Sequence, residues 1–379
     1  MADAALKGHP VFLKGRAAVS NPEGRFERER REATDDGWGG EPEEAVAPPT
    51  TVTIEHARSI ISRNQSPDVF FDQSINPYRG CEHGCIYCYA RPNHAYVGLS
   101  PGQDFETRLF AKPGAAGLLR RELADPSYRC STIVLGTATD AYQPIERDMG
   151  ITRSLIETLS ACEHPLSIIT KSSLVERDID LLAPMARKNL AAVYVTVTTL
   201  DGDLARRWEP RAAAPWRRLE TIRRLAEAGV SVGVMVAPIV PFLNEPEIEA
   251  VLEQARAAGA RSAHYTVLRL PHELREVFCD WLSAHFPDRA ARVLARLGDL
   301  RASAPGAARS RRLNDSRFHH RMRGEGHWAD LVKMRFELAC RKHGLVRDRP
   351  GLDCARFVPP ARDGQLDLFG TAAGQPGPR

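Results

Sequence analysis

Short apolar, β-rich runs alternate along the chain with longer amphipathic ones. The runs are STIVLG (131–136), LSIIT (166–170), AVYVTVT (192–198), VSVGVMVAP (230–238) and HYTVL (264–268). Between them, ITRSLIETLSAC sets Ile151, Leu155, Ile156 and Leu159 on one helical face, and PWRRLETIRRLAEAG does the same with Leu219, Ile222 and Leu225 before stopping at Gly229. Asn244, followed by Pro246, reads as the N-cap of a further helix, EPEIEAVLEQARAAG. Near-continuous apolar strands are those buried on both faces, so the pattern predicts a parallel sheet of βα units. With one more strand before Cys81 there are about six units. Six are too few for a standard eight-unit barrel. The expected fold is therefore α/β, a partial (β/α)6 TIM-like barrel, with functional groups at the carboxyl ends of its strands.

The flanks differ. Residues 1–51 carry ten acidic and seven basic side chains in the first fifty, with few large apolar residues, and read as a flexible N-terminal arm. Within it, GRAAVSNPEGRFE (15–27) is the stretch most able to fold back on the body. The barrel is expected over 52–270 and a basic helical extension over 271–350. Between 301 and 350 there are 13 Lys/Arg against 5 Asp/Glu. Phosphate contacts by these cations, with Phe318, His319, His320 and Trp328 stacking on bases, are one reading, and a solvated arginine-rich surface is the other. Residues 351–379 form a Pro- and Gly-rich tail.

The net charge of +4 over 379 residues names no partner. No run approaches the ~18 apolar residues of a membrane span, and the first residues lack a secretory apolar segment. A cytoplasmic protein without membrane partners is expected. Of eight cysteines, three fall within eight positions, Cys81, Cys85 and Cys88, in NPYRGCEHGCIYCYA. In a reducing compartment such spacing favours metal or redox chemistry over crosslinks. Structural zinc prefers two separated pairs of ligands. His83 or His94 as a fourth ligand keeps zinc open, and plain buried thiols are a further alternative. Three thiolates on one tight loop fit better a [4Fe–4S] cluster whose fourth iron has no protein ligand.

Cys-x3-Cys-x2-Cys with Tyr87 before the last cysteine, ahead of a partial βα barrel, resembles the radical S-adenosylmethionine (SAM) superfamily. The resemblance implies cleavage of SAM at the open iron and a 5′-deoxyadenosyl radical that abstracts a substrate hydrogen. It also implies an electron donor such as flavodoxin or ferredoxin. Tyr87 and Tyr89, TDAYQPIE (139–146, with Thr139), Thr-Lys-Ser (170–172) and Trp-Glu-Pro-Arg (208–211) are similar to the spore photoproduct lyase-like branch. By that resemblance Lys171 and Ser172 contact the SAM carboxylate and ribose. Thr196 and Thr198 contact its amino acid or ribose, and Glu209 and Arg211 close over it. Those lyases carry a hydrogen-donating cysteine after the second strand, where this chain has Gly136-Thr-Ala-Thr-Asp140. Tyr142 is then a candidate donor, with aromatic packing as its alternative.

In the tail, Gln365, Leu366, Asp367, Leu368 and Phe369 match the short motif that docks bacterial polymerases on the DNA sliding clamp. Three apolar anchors would enter a cleft there, with Gln365 orienting them. The combined expectation is a lyase-like radical SAM enzyme acting on nucleic acid, plausibly a DNA lesion or modified base in repair. Modification of RNA, protein or a small molecule is the alternative within enzymes, and a non-catalytic metal-stabilised clamp adaptor the alternative outside them.

Overall fold

The protein is described by a computed structural model covering residues 12–27, 48–301, 313–349 and 351–361. Ten strands form two sheets. In chain order they are β1 (Thr51–Ile54), β2 (Ile61–Arg63), β3 (Gln73–Ile75), β4 (Tyr78–Arg79), β5 (Arg108–Ala111), β6 (Ile133–Leu135), β7 (Leu166–Thr170), β8 (Ala191–Thr196), β9 (Ser231–Ile239) and β10 (Ser262–Val267). The large sheet runs β10-β9-β8-β7-β6-β3-β2. Its six members β3 and β6 to β10 are parallel, and β2 pairs antiparallel to β3 at the edge. This is the six-strand partial barrel that the apolar runs predict. β2 and the small β1-β5-β4 sheet were not anticipated, because three- and four-residue strands with exposed faces leave no apolar run to read.

Alternation along the strands sorts the barrel into two faces. Ile133, Leu135, Ile168, Val193, Val195, Val232 and Val234 point outward into one aliphatic core with Leu155, Leu159, Leu182, Ile222 and Leu225 of the surrounding helices. On the inner face the register aligns Thr196 with Met235 and Met235 with His264. One layer down it aligns Ile169, Tyr194, Gly233 and Ser262. Gly233 has no freedom to change: a Cβ there would stand 2.6 Å from the Tyr194 ring.

Asn244 is not the side-chain N-cap it resembled. Its Oδ1 accepts from Val240 N and its Nδ2 donates to the Thr198 and Pro238 carbonyls, so it ties the end of β8 to the end of β9. The α-helix proper begins at Ile248.

Within the stretch expected to be an arm, residues 12–27 are built into the body. Ala17, Ala18 and Val19 are buried in one cluster with Cys85, Ile86 and Tyr87. The backbone N–H groups of Ala17 and Ala18 each donate to the Glu106 carboxylate at 3.0 Å. After the barrel come helices Leu274–His285, Pro287–Asp299 and His327–His343. Much of the basic charge there is consumed internally. Arg321 pairs with Asp68, Arg317 with Asp315 and Glu325, Arg335 with Glu245 and Glu249, and Arg347 with Glu337. Phe318 and His319 stay exposed, His320 meets Glu325, and Trp328 packs against both main hydrophobic clusters. No helix among the described residues is long and apolar enough to cross a membrane. The Gln365–Phe369 motif lies outside the described residues.

Candidate functional site

The three-cysteine loop leaves β4 and lies across the carboxyl ends of the strands. Its backbone is stitched locally, Gly84 N to Cys81 O (3.1 Å) and Cys88 N to Cys85 O (3.1 Å). It is anchored distantly through Cys81 N to Phe105 O (3.0 Å) and Ile86 N to Trp208 O (2.8 Å). Gly84 sits at φ +64°, and a Cβ there would stand 2.7 Å from Glu106 Oε2. Under the loop, the fully buried Arg91 donates to the carbonyls of Gly84, Cys85, Pro101 and Gly102 and pairs with Glu106. A guanidinium serving several carbonyls fixes a turn that has no regular secondary structure of its own.

The thiols of Cys81, Cys85 and Cys88 are electrostatic neighbours of one another. Among the described residues, no three His, Cys, Asp or Glu side chains are arranged to hold a single metal ion. His94 bonds the Arg108 carbonyl, and His83 faces Asp140 at 3.3 Å with its Nδ1 lacking a hydrogen-bond partner. Three thiols on one loop that share one electrostatic neighbourhood suit ligands to separate irons of one cluster. Burial pushes the Cys85 thiol up to about 12 and Cys81 well above its ordinary value. Metal loading at this site must therefore displace protons.

Around the loop the structure assembles a buried charge network. Tyr87 donates to Glu209 Oε2, Thr198 Oγ1 donates to Glu209 Oε1 (2.7 Å), and Arg218 pairs with the same oxygen at 2.6 Å. Burial alone would raise the Glu209 carboxyl, but Arg218 and Lys171 outweigh it and hold it below its ordinary range. The Lys171 ammonium lies 5.7 Å from the Tyr87 ring centroid. Its pKa is raised, the Cys85, Glu209 and Asp140 charges outweighing burial. Asp140 accepts from Lys171 N and Thr170 Oγ1, both at 2.8 Å, and faces His83 at 3.3 Å. Those partners overcome burial and keep its carboxyl well below the usual range.

The other predicted positions have local duties. Thr139 Oγ1 donates to the Gly80 carbonyl (2.7 Å) and accepts from Gln143, bracing the entry of the cysteine loop. Ser172 Oγ accepts from Leu174 N and caps the helical turn after β7. The Thr196 carbonyl accepts from Arg218. Arg211 reaches Glu82 at 3.1 Å. Tyr142 stands apart: fully buried in the aliphatic core, it donates its hydroxyl to Asp178 at 2.9 Å, which is the packing alternative. Cys130 precedes β6 and contacts Cys354 at the amino end of the strands, away from the cysteine loop.

Several members of the site went unread in the sequence: Asp140, Gln143, Arg91, Glu106 and Arg218. Asp140 and Gln143 lie in the 139–146 segment but were given no role, and Arg218 left a trace, since it shares a helical face with Ile222 and Leu225, where a charge is out of place.

Six parallel strands with a three-thiol loop over their carboxyl ends define a partial α/β barrel. Residues 75–255 match the Radical SAM superfamily, so this part of the chain is a Radical SAM domain. An uncharacterized protein of Mycobacterium tuberculosis is 38% identical over 224 residues, 59% of this chain and 66% of the relative's length. One of Methanocaldococcus jannaschii is 30% identical over 176 residues, 46% of this chain and 62% of that relative. The alignments thus span somewhat less than two thirds of these proteins. The structure of spore photoproduct lyase complexed with dinucleoside spore photoproduct superposes with a TM-score of 0.53, covering 78% of this chain and 80% of that one at 13% identity, a likeness of fold. The family's cofactors are a [4Fe–4S] cluster and SAM.

Proposed function

We propose that the chain is a radical SAM enzyme that holds a [4Fe–4S] cluster on Cys81, Cys85 and Cys88 and acts on nucleic acid. The observation that carries it is the convergence of the three-thiol loop with Lys171, Thr198, Glu209 and Tyr87 at one end of a parallel barrel. When bound, the cluster and SAM supply a 5′-deoxyadenosyl radical able to abstract an unactivated hydrogen. The chain's own share is binding and exclusion of water. Lys171 presents a cation for a carboxylate, and Glu209, ionised and held by Arg218 and Thr198, presents an anion for an ammonium or ribose hydroxyl. Arg211 and Glu82 close the outer side, and residues 17–19 cover the back of the cysteine loop.

A nucleic-acid substrate is supported by the fold shared with a lyase solved in complex with dinucleoside spore photoproduct. The strand-end loop 136–140 has no cysteine, so the reaction is read as lyase-like in its first hydrogen abstraction and different in how the product radical is quenched. A reduced ferredoxin or flavodoxin supplies the electron, and Gln365–Phe369 is the proposed tether to a sliding clamp. Anaerobic reconstitution with iron and sulfide tests the core of this reading. The expected result is an iron–sulfur chromophore lost in a Cys85→Ala variant, with release of 5′-deoxyadenosine from SAM on reduction. Zinc in the purified protein and no uptake of iron and sulfide would overturn it. A loaded protein that never cleaves SAM would mark an adaptor instead.

A further inference from the structure

The inner face of the sheet holds a cation that the network above does not use. Arg349 reaches in from the chain after helix His327–His343. Its guanidinium carbon stands 3.4 Å from the Phe70 ring centroid and 4.4 Å from that of Tyr194, and its NH2 lies 3.7 Å from Met235 Sδ. Among the described residues no carboxylate lies within ion-pairing distance of it, whereas its neighbour Arg347 is paired with Glu337. The guanidinium hydrogen-bonds the Tyr194 side chain, but its NH1 is buried with no hydrogen-bond partner, and so is Nε2 of His264. The His264 ring stands 5.6 Å from Tyr194, in the same row as Met235 and Thr196.

A guanidinium cannot shed its charge at neutral pH. Stacking on two rings compensates a desolvated arginine only in part, and a buried donor without an acceptor costs further free energy. A ligand that accepts from such a donor offsets that cost. The missing partner must be an anion, flat or tetrahedral, able to accept from Arg349 NH1 and from a nearby imidazole N–H. Arg349 comes in from the amino end of the strands, where Asp353 N bonds the Asn189 carbonyl ahead of β8, and its tip lies on the concave face against the Tyr194 row, whose β10 member, Ser262, is the first residue of that strand. The tip is walled by Phe70 and Tyr194, aromatic surfaces of the kind that bases stack on.

We infer that Arg349, with His264, forms a subsite on the concave face that receives a phosphate group of the substrate. This deepens the nucleic-acid reading and rests on it: the phosphodiester would be gripped here and the flanking nucleoside directed toward the cysteine loop. In the full-length protein, calorimetric titration with the dinucleotide thymidylyl-thymidine, its uncharged methylphosphonate and inorganic phosphate tests it. Wild type is expected to bind the dinucleotide at least tenfold more tightly than the methylphosphonate. Arg349→Gln should lose that preference, and Arg349→Lys should recover part of it. The methylphosphonate arm needs no variant, so it remains decisive if Arg349→Gln melts early. Equal binding of the charged and uncharged dinucleotides, or no binding of either the dinucleotide or phosphate by wild type, overturns the subsite. Arg349-dependent binding of inorganic phosphate with no gain from the dinucleotide supports the subsite while removing the nucleic-acid reading.

Discussion

The two ends of the barrel solve the problem of burial in opposite ways. At the carboxyl end of the strands the interior is ionic: Glu209 with Arg218 and Glu106 with Arg91 are both almost fully enclosed. At the amino end the enclosed polar groups are neutral. His164 lies between Tyr128 and Phe357, its Nε2 2.7 Å from the Tyr128 hydroxyl and its Nδ1 3.0 Å from the Pro165 carbonyl. Burial drops its pKa to about 4. Buried ion pairs are poor stabilisers relative to apolar replacements of the same shape, because desolvation cancels most of the attraction. Among the described residues these enclosed pairs gather at the end where charges must be held in place for a ligand.

Separating one of those pairs should have the largest effect. Arg218→Met leaves the Glu209 carboxylate buried with hydrogen bonds from Tyr87 and Thr198 and with Lys171 as the remaining cation, and loss of one partner of an enclosed pair typically costs about 3–5 kcal/mol. Urea unfolding of the iron-free protein measures it. The double variant Arg218→Met/Glu209→Gln is expected to recover much of the loss. If Arg218→Met unfolds within about 1 kcal/mol of wild type, the ionic end is not held together as described. SAM binding should weaken in both variants whatever the stability shows, since Glu209 no longer presents a fixed charge.

The amino end is broken by acid. The folded-state pKa of His164 is lowered to about 4 against about 6.5 in an unfolded chain. The unfolded protein therefore binds the extra proton across that window, and stability must fall as pH drops from about 6.5 to 4. The full difference corresponds to about 3 kcal/mol, present above pH 6.5 and gone at pH 4. Wild type and His164→Gln, compared by denaturant unfolding at several pH values, should differ in slope over this window and run parallel above it. Equal slopes would mean that His164 is hydrated in the folded state.

The same contrast explains what could be read from the sequence. The six parallel strands were legible because their outward faces are aliphatic without interruption, as in Ile168, Val193 and Val234, and the cysteine spacing marked the loop. Short edge strands such as β2 carried no such run. Asn244 was misread because a hydrogen-bonding side chain before an early proline looks the same whether it caps a helix or joins two strand ends. Glu106 and Arg91 were invisible for a different reason. Their partners, Ala17 and Ala18 on one side and Gly84 on the other, are brought together only by the finished fold. Residues 12–27 were misplaced with them, since what holds that polar, proline-containing stretch is a carboxylate about ninety positions away.

A second arginine–glutamate pair sharpens the comparison, because its chemistry matches Arg218–Glu209 and only its burial differs. Arg79 meets Glu55 in a two-point contact, Nε to Oε2 at 2.6 Å and NH2 to Oε1 at 2.8 Å, on the small β1-β5-β4 sheet. Its side chain is 45% exposed. Water and salt screen such a pair, and truncating one partner leaves the other hydrated instead of stranded. Arg79→Ala should therefore cost less than about 1 kcal/mol in the same urea assay. That cost should shrink further in 1 M salt, while the cost of Arg218→Met barely changes. Equal sensitivity of the two variants to salt would mean that solvent reaches Glu209, and the ionic end of the barrel would then be an open cleft instead of a sealed one.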